Sequence, residues 1–139
     1  MDDVEAIKKL KARYFRCLDT KDWDGYRNVF TDDVVVDMSP AGGDVRRGID
    51  TFMEYVRGLT LIQSVHHGHM PEIELTSETT ATGIWSLEDY NRWENGQDTH
   101  GYGQYHETYE KVDGQWRIKT MRLSYLRMDV TTSTIAPGG

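Results

Sequence analysis

The sequence predicts an α+β domain in which three helices come first and a curved, mostly antiparallel sheet follows. Apolar residues recur at three- and four-residue spacing across residues 3–19, which is the pattern of an amphipathic helix. The second half instead contains four long β-rich stretches, at about residues 60–75, 79–91, 100–112 and 115–129. Helices followed by a run of strands favour an architecture in which the helices pack against one face of the sheet.

The other elements of the first half are shorter. Asp2, with Glu5 three places on, is a suitable N-terminal cap for the first helix. A second helix is predicted over residues 23–30 and a third over residues 49–58. Between them, residues 34–38 are predicted to form a short strand, and a Ser-Pro-Ala-Gly-Gly turn follows it.

Turn signals separate the long strands. Asn95-Gly96 and the glycine at position 114 mark tight turns, and Ser77-Glu78 is a further candidate. Long strands with few prolines favour a strongly bent, half-closed sheet whose cone can hold a small ligand. We assign residues 1–130 to a single domain and residues 131–139, which end in Ala-Pro-Gly-Gly, to a C-terminal tail.

Composition and charge exclude several classes of partner. The formal net charge is -7, and the chain has no basic stripe that could neutralise phosphates. We therefore expect that it binds neither nucleic acid nor an anionic membrane surface. The apolar runs are far shorter than the roughly 20 residues needed to cross a bilayer. The acidic N-terminus lacks the features of a signal peptide, and the single cysteine, Cys17, suits a reducing compartment. We therefore predict a cytoplasmic protein.

Tyr14, Asp19 and His66 are the residues from which a proton-transfer site could be built. Histidine can act as base or acid because its unperturbed pKa, roughly 6.5, lies near neutral pH. A carboxylate can orient it, and a phenol can hold a substrate oxygen. Tyr14 and Asp19 are about 140° apart on a regular helix, so both border one cavity only if Asp19 lies at the helix end. The alternatives are an Asp19 solvated in a loop, which the residues alone favour, and a Tyr14 that only fills the core.

Three histidines, His66, His67 and His69, fall within four residues of the first long strand. Strand alternation places His67 and His69 on one face and His66 on the other, although Gly68 and Pro71 interrupt the pattern. A His-x-His pair can bind zinc, but a catalytic zinc site needs a third protein ligand, and the sequence does not identify one. We therefore predict no catalytic metal and no cofactor.

Aromatic residues are the candidates for the wall of a small-molecule pocket. Phe52 lies on the apolar face of the third predicted helix, and Trp85 and Tyr105 lie in the predicted strands. Such residues can line an apolar pocket, but they often simply fill the core of a sheet. The chain contains no Gly-x-Ser-x-Gly motif, no P-loop and no dinucleotide fingerprint. A small apolar substrate is therefore the predicted partner.

Several of these motifs resemble the SnoaL-like branch of the nuclear transport factor 2-like superfamily and, within it, the bacterial bile-acid 7α-dehydratases. The likeness begins in the first helix, continues through the histidine-rich strand and extends into the later strands. The matching stretches are Glu5–Lys11, Tyr14–Asp19, Trp23-Asp24, His66, Gly68-His69, Pro71–Ile73, Ser77–Gly83, Trp85, Leu87–Asp89, Tyr109–Lys111 and Asp113–Gln115. Residues 30–63 show no comparable match.

The resemblance implies a fold, a site and an activity. The fold is an α+β cone of three helices and a curved mixed sheet. The catalytic tyrosine, aspartate and histidine of these dehydratases fall on Tyr14, Asp19 and His66, and an arginine of their last strand falls on Tyr125, which we add to the pocket. The implied activity is that of a cofactor-independent dehydratase, which eliminates water from a hydroxylated steroid-like or alicyclic ketone by an Asp–His proton shuttle. An isomerase or cyclase with the same pair, and a non-catalytic small-ligand-binding protein, are the alternatives.

The same resemblance implies a homo-oligomer, either a homotrimer or a homodimer. Trp93 and Trp116 are the aromatic residues that the sequence suggests are exposed and available to an interface. The oligomer is expected to persist at micromolar concentration, where light scattering would distinguish it from a monomer.

Overall fold

Three α-helices and six β-strands are present within residues 2–132, the part of the chain that the computed structural model describes. The helices are α1 (Asp3–Asp19), α2 (Trp23–Arg27) and α3 (Ile49–Arg57). The strands are β1 (Phe30–Asp37), β2 (Val45–Arg47), β3 (Leu61–Leu75), β4 (Thr80–Trp93), β5 (Gln97–Val112) and β6 (Gln115–Thr132). In this part of the chain, no helix combines the length and the apolar character needed to cross a membrane.

The six strands form one mixed sheet in the order β2-β1-β6-β5-β4-β3. Strands β1 and β6 run parallel, and the other neighbouring pairs are antiparallel. The predicted turns join β4 to β5 and β5 to β6, and Gly96 and Gly114 adopt positive φ angles of 86° and 79° there. The α+β fold with helices packed against a curved, mostly antiparallel sheet is therefore confirmed.

Helix α1 begins with the cap that the sequence predicts, because the Asp2 carboxylate accepts a hydrogen bond from the Glu5 backbone N–H at 2.7 Å. One face of the helix is buried and packs against β3 and β6. The helix ends at Asp19, and the chain turns away at Lys21, whose φ is 58°. Asp19 therefore occupies the helix end, which is the position it needs if it is to border the same cavity as Tyr14.

Irregular strand pairing bends the sheet. The β3–β4 register shifts between His69 and Glu72, and the β5–β6 register shifts between Tyr102 and Gly103. Such bulges bend the strand that contains them and increase its twist. A side chain at Gly103 is excluded because its Cβ would lie 1.9 Å from the Ser124 carbonyl oxygen. The bends curve the sheet around the helices and leave a space between the two layers.

The structure differs from the sequence prediction in several places, among them the start of β1, which lies at Phe30 and not at residue 34. Helix α2 ends at Arg27 instead of extending to residue 30, because Phe30 is buried and begins β1. The sequence does not predict β2, since three residues carry no alternation signal and pairing with β1 alone defines this strand. Strand β6 continues to Thr132, so it includes the first two residues of the predicted tail. Residues 133–139 of that tail lie outside the described residues.

Trp116 is not the exposed residue that the sequence suggests. It is 5% exposed, and its indole Nε1–H donates a hydrogen bond to Asp3 at 2.9 Å, which anchors the start of α1 to β6. Trp93 is half-buried, and its Nε1–H donates to the Thr99 hydroxyl at 3.1 Å. Trp116 therefore does not support an interface, and the homo-oligomer stays a prediction based on resemblance.

Candidate active site

Asp19 and His66 are brought together at the junction of α1 and β3, although 47 positions separate them. His66 Nδ1 lies 2.6 Å from Asp19 Oδ1. The His66 backbone N–H donates to Asp19 Oδ2 at 2.8 Å, and the Ser64 hydroxyl donates to Oδ1 at 2.9 Å. Strand β3 therefore holds both oxygens of the carboxylate and fixes its orientation relative to the imidazole.

These contacts determine which nitrogen of His66 can act on a ligand. An ionised carboxylate only accepts hydrogen bonds, so Nδ1 of the neutral ring donates to Asp19 and Nε2 carries the lone pair. The two side chains are largely shielded from solvent, with exposures of 11% for His66 and 21% for Asp19. Because His66 lines a cavity, its Nε2 can exchange a proton with a molecule bound there.

The cavity lies between the helices and the concave face of the sheet and has a volume of about 320 Å³. Its wall is mainly apolar. Tyr14 from α1, Phe52 from α3, Tyr105 from β5 and Tyr125 from β6 line it together with His66. The structure thus places three of the four predicted pocket residues around the same space as Tyr14 and His66.

A wider depression of about 590 Å³ opens near the ends of β4, β5 and β6. Its lining includes the charged side chains of Arg92, Asp98 and Asp129, and none of Tyr14, Asp19 and His66. Volume alone therefore does not identify the site. The smaller cavity is the candidate because His66, which is hydrogen-bonded to Asp19, lines it.

Trp85, the fourth predicted pocket residue, does not line this cavity. It is 6% exposed, and its Nε1–H donates to the Tyr109 hydroxyl at 2.9 Å. Its ring and the ring of Phe15 both lie over Gly68, where a Cβ would be 2.6 Å from Phe15 and 3.2 Å from Trp85. Trp85 is therefore on the inner face of β4, but at a position where α1 closes the core.

Tyr14 sits in a cluster of buried tyrosines. Its ring centroid lies 5.3 Å from that of Tyr26 and 5.7 Å from that of Tyr105, and Tyr26 and Tyr105 also line the cavity. Burial raises the pKa of Tyr14 well above its ordinary value, and the nearby Tyr105 adds to the shift. The phenol therefore stays protonated at neutral pH and can donate a hydrogen bond to an oxygen of a bound molecule.

A buried ion pair lies beneath this cluster. Lys11 Nζ is 2.8 Å from Glu107 Oε2, and both side chains are fully buried. The ammonium also lies 3.7 Å from the Tyr14 ring centroid and 3.5 Å from that of Tyr105, within cation–π range. Burial lowers the pKa of Lys11, and Glu107 opposes that shift.

The sequence prediction missed this ion pair, although one of its partners carries a usable signal. Lys11 occupies a position of the apolar stripe of α1, four residues after Ile7 and three before Tyr14. A lysine at such a position either is buried with a partner for its charge or extends its ammonium group out of the core to solvent. The pair holds the rings of Tyr14 and Tyr105 in place from below the cavity.

Asp89 is a further cavity residue that the sequence prediction missed. It lies directly opposite His66 in the β3–β4 register, is 2% exposed and lines the cavity. The Tyr125 hydroxyl donates a hydrogen bond to Asp89 Oδ2, whereas Asp89 Oδ1 has no hydrogen-bond partner among residues 2–132. Its position in alternation with Trp85 and Leu87 on the inner face of β4 is the signal that could have identified it.

The absence of a side chain at Gly101 makes room for this pair. Gly101 faces Asp89 across the β4–β5 pairing. A Cβ there would lie 2.7 Å from Asp89 Oδ1 and 2.5 Å from the Tyr125 ring. One more buried acceptor borders the cavity, since Asn91 Oδ1 is also without a partner in the described structure. Two such acceptors in an apolar wall suit a ligand that brings hydrogen-bond donors.

The fold and the site define a class of protein. Residues 1–122 match the model of the SnoaL-like domain, and the chain belongs to this SnoaL-like family. The match covers both members of the Asp19–His66 pair. The family assignment that the sequence motifs suggested is therefore confirmed, while the narrower resemblance to bile-acid 7α-dehydratases stays a prediction.

Solved structures show the same fold. A protein from Novosphingobium aromaticivorans DSM 12444, provisionally named scytalone dehydratase, is 26% identical with a TM-score of 0.84, and the alignment covers 99% of this chain and 93% of that one. A protein of unknown function from Mycobacterium tuberculosis is 28% identical with a TM-score of 0.75, covering 90% and 72%. A type 2 hexachlorocyclohexane dehydrochlorinase is 17% identical with a TM-score of 0.85, covering 97% and 94%, and this likeness concerns the fold.

Proposed function

We propose that this protein is a cofactor-independent lyase that eliminates water from a hydroxylated alicyclic ketone. The observation that carries the proposal is the orientation of His66, whose Nδ1 contacts Asp19 while the ring lines an apolar cavity. A base held in this way can remove a proton from a carbon acid without the help of a metal or an organic cofactor. The structural neighbours with dehydratase and dehydrochlorinase names are consistent with this class of chemistry.

The elimination follows from the placement of three residues. His66 Nε2 removes the proton from the carbon next to the ketone, and Tyr14 donates a hydrogen bond to the carbonyl oxygen on which negative charge develops. The enolate re-forms the carbonyl as a C=C bond forms and the C–O bond to the hydroxyl breaks. The proton on His66 passes to the departing oxygen, which leaves as water. Asp19 stabilises the imidazolium that exists between these two transfers.

The size of the cavity restricts the substrate. Engineered protein cavities of roughly 150 Å³ accept benzene, and the cavity here is about 320 Å³. A ligand of about two rings therefore fits inside it, whereas a four-ring steroid would have to extend beyond it. This comparison favours an alicyclic ketone of one or two rings over a whole steroid as the group that is buried during the reaction.

Asp89 and Asn91 supply acceptors for hydroxyl groups of this substrate. Asp89 Oδ1 is buried and has no hydrogen-bond partner within residues 2–132, and the strand register sets Asp89 beside His66. A hydroxyl hydrogen-bonded to this carboxylate is held near the nitrogen that later protonates a leaving group. The requirement for a hydroxylated ligand is thus supported by the wall of the cavity as well as by the His66–Asp19 pair.

Replacing Asp89 by asparagine is expected to weaken substrate binding by roughly tenfold or more, because hydrogen bonds to charged groups contribute about 1.5–3 kcal/mol. The amide keeps the shape of the side chain and can still accept from Tyr125. The KM for the substrate measures the effect. Glu74→Gln, which changes an exposed carboxylate on β3, is the matched control. Equal KM values for the two variants would remove Asp89 from the binding site.

The overall proposal is tested by incubating the protein with hydroxylated cyclic ketones in D₂O. Appearance of the conjugated enone by ultraviolet absorbance, together with loss of water by mass spectrometry, is the expected result. Deuterium incorporation next to the carbonyl without loss of water would instead indicate an isomerase that uses the same His66–Asp19 pair. Saturable binding with neither reaction would indicate a small-ligand-binding protein.

A further inference from the structure

A second cluster of histidines and carboxylates lies on the opposite face of the sheet from the cavity. His67 and His69 are exposed on the outer face of β3, as strand alternation predicts. Glu88 on β4 is the direct register partner of His67. One ligand atom from each of these three side chains lies within 4.8 Å of the other two. The sequence supplies the His-x-His pair, and the strand register supplies the third member that the sequence did not identify.

Glu88 is already oriented by a fourth residue. His100 Nε2 lies 2.7 Å from Glu88 Oε2, while Glu88 Oε1 faces His69 Nε2 at 3.9 Å. The His100 ring is itself packed between two tyrosines, with centroid distances of 3.6 Å to Tyr90 and 4.4 Å to Tyr102. One carboxylate oxygen is therefore fixed, and the other points toward the two histidines. Carboxylates that bind metals are commonly held in this way by an outer hydrogen bond.

We propose that His67, His69 and Glu88 bind a divalent transition metal ion, with Zn²⁺ as the best match. Two imidazoles and one carboxylate form a ligand set that suits zinc, and water completes a four-coordinate site. Bond lengths of about 2.0–2.1 Å to a tetrahedral ion place neighbouring ligand atoms roughly 3.3 Å apart. Rotation of the exposed histidines closes the remaining gap, since the His69 side chain is 53% exposed.

The position of this site suggests what the metal does. Strand β3 is an edge strand of the sheet and pairs only with β4 within residues 2–132. An ion held by His67 and His69 on β3 and by Glu88 on β4 clamps the edge strand to its neighbour. The same strand carries His66 on its inner face. Bound metal therefore stabilises the strand that positions the base, without entering the cavity or the reaction.

Zinc titration of chelator-treated protein without a polyhistidine tag tests the proposal. Isothermal titration calorimetry is expected to give one Zn²⁺ per chain, and added Zn²⁺ should raise Tm because an ion that binds only the folded state stabilises it. His67→Ala and Glu88→Gln are each expected to weaken binding by at least about tenfold, since even outer partners of metal ligands contribute 10–100-fold. Both changes are at partly or fully exposed side chains, and circular dichroism verifies that the variants fold.

His106→Ala is the matched control, because this histidine is exposed on β5 but lies outside the cluster. It is expected to bind Zn²⁺ as the unaltered protein does. The proposal is overturned if the unaltered protein binds no Zn²⁺, or if His67→Ala and Glu88→Gln bind it as tightly as His106→Ala. Binding that is lost in His66→Ala but retained in His67→Ala would overturn it as well, because the ion would then lie in the cavity.

Discussion

Replacement of His66 by alanine is expected to lower the rate of the proposed elimination by roughly 10²–10⁴-fold, the usual contribution of positioned proton transfer. No other imidazole within residues 2–132 lines the cavity, so no second histidine can take over the proton. The measurement is kcat for enone formation. His106→Ala, an exposed histidine of β5, is the control and should react at the unaltered rate. An unchanged kcat for His66→Ala would leave the small-ligand-binding protein as the better interpretation.

Asp19→Asn is expected to reduce kcat to a similar extent while the fold is retained. The amide keeps the size of the side chain but removes the charge that stabilises the imidazolium, and it no longer fixes the ring with Nδ1 as the donor. Because His66 and Asp19 act as a unit, the double variant should be little slower than either single variant. Losses that multiply in the double variant would show that the two residues act independently.

Replacement of Lys11 by methionine is expected to lower the free energy of unfolding by about 3–5 kcal/mol, because removing one partner of a buried ion pair leaves the other charge uncompensated. Glu107 is fully buried, and its remaining hydrogen bond comes from the Tyr109 hydroxyl at 2.7 Å. Urea unfolding followed by circular dichroism measures the change. Lys8→Met alters an exposed lysine of the same helix and should have little effect.

A second variant separates the loss of charge balance from the loss of packing. In Lys11→Met/Glu107→Leu both charges are gone, and replacement of a buried ion pair by apolar residues is often close to neutral. We therefore expect the double variant to recover part of the stability that Lys11→Met loses. A Lys11→Met protein as stable as Lys8→Met would contradict the role given to the ion pair beneath Tyr14.

Local patterns in the sequence were sufficient to predict the helix and the strand that contain the site residues, α1 and β3. The apolar stripe and the Asp2 cap predicted α1 over residues 3–19, and the structure has the helix over Asp3–Asp19. Period-two alternation assigned His66 to one face of its strand and His67 to the other, and the structure agrees. These features depend on near neighbours in the chain, which is why a sequence pattern can predict them.

Only the tertiary structure decided which of these side chains meet and what surrounds them. Alternation predicts which face of a strand a side chain lies on, but not which positions along that face a helix covers. Trp85 and Asp89 lie on the same face of β4, yet Trp85 is in the closed core and Asp89 borders the cavity. The Lys11–Glu107 pair joins residues 96 positions apart, and Asp89 and Tyr125 are 36 apart. Such contacts are set by strand register, by bulges such as that at Gly103 and by the packing of α1 on the bent sheet. Near neighbours in the sequence can mark a bulge or a turn, but they do not identify the distant residue that a side chain contacts.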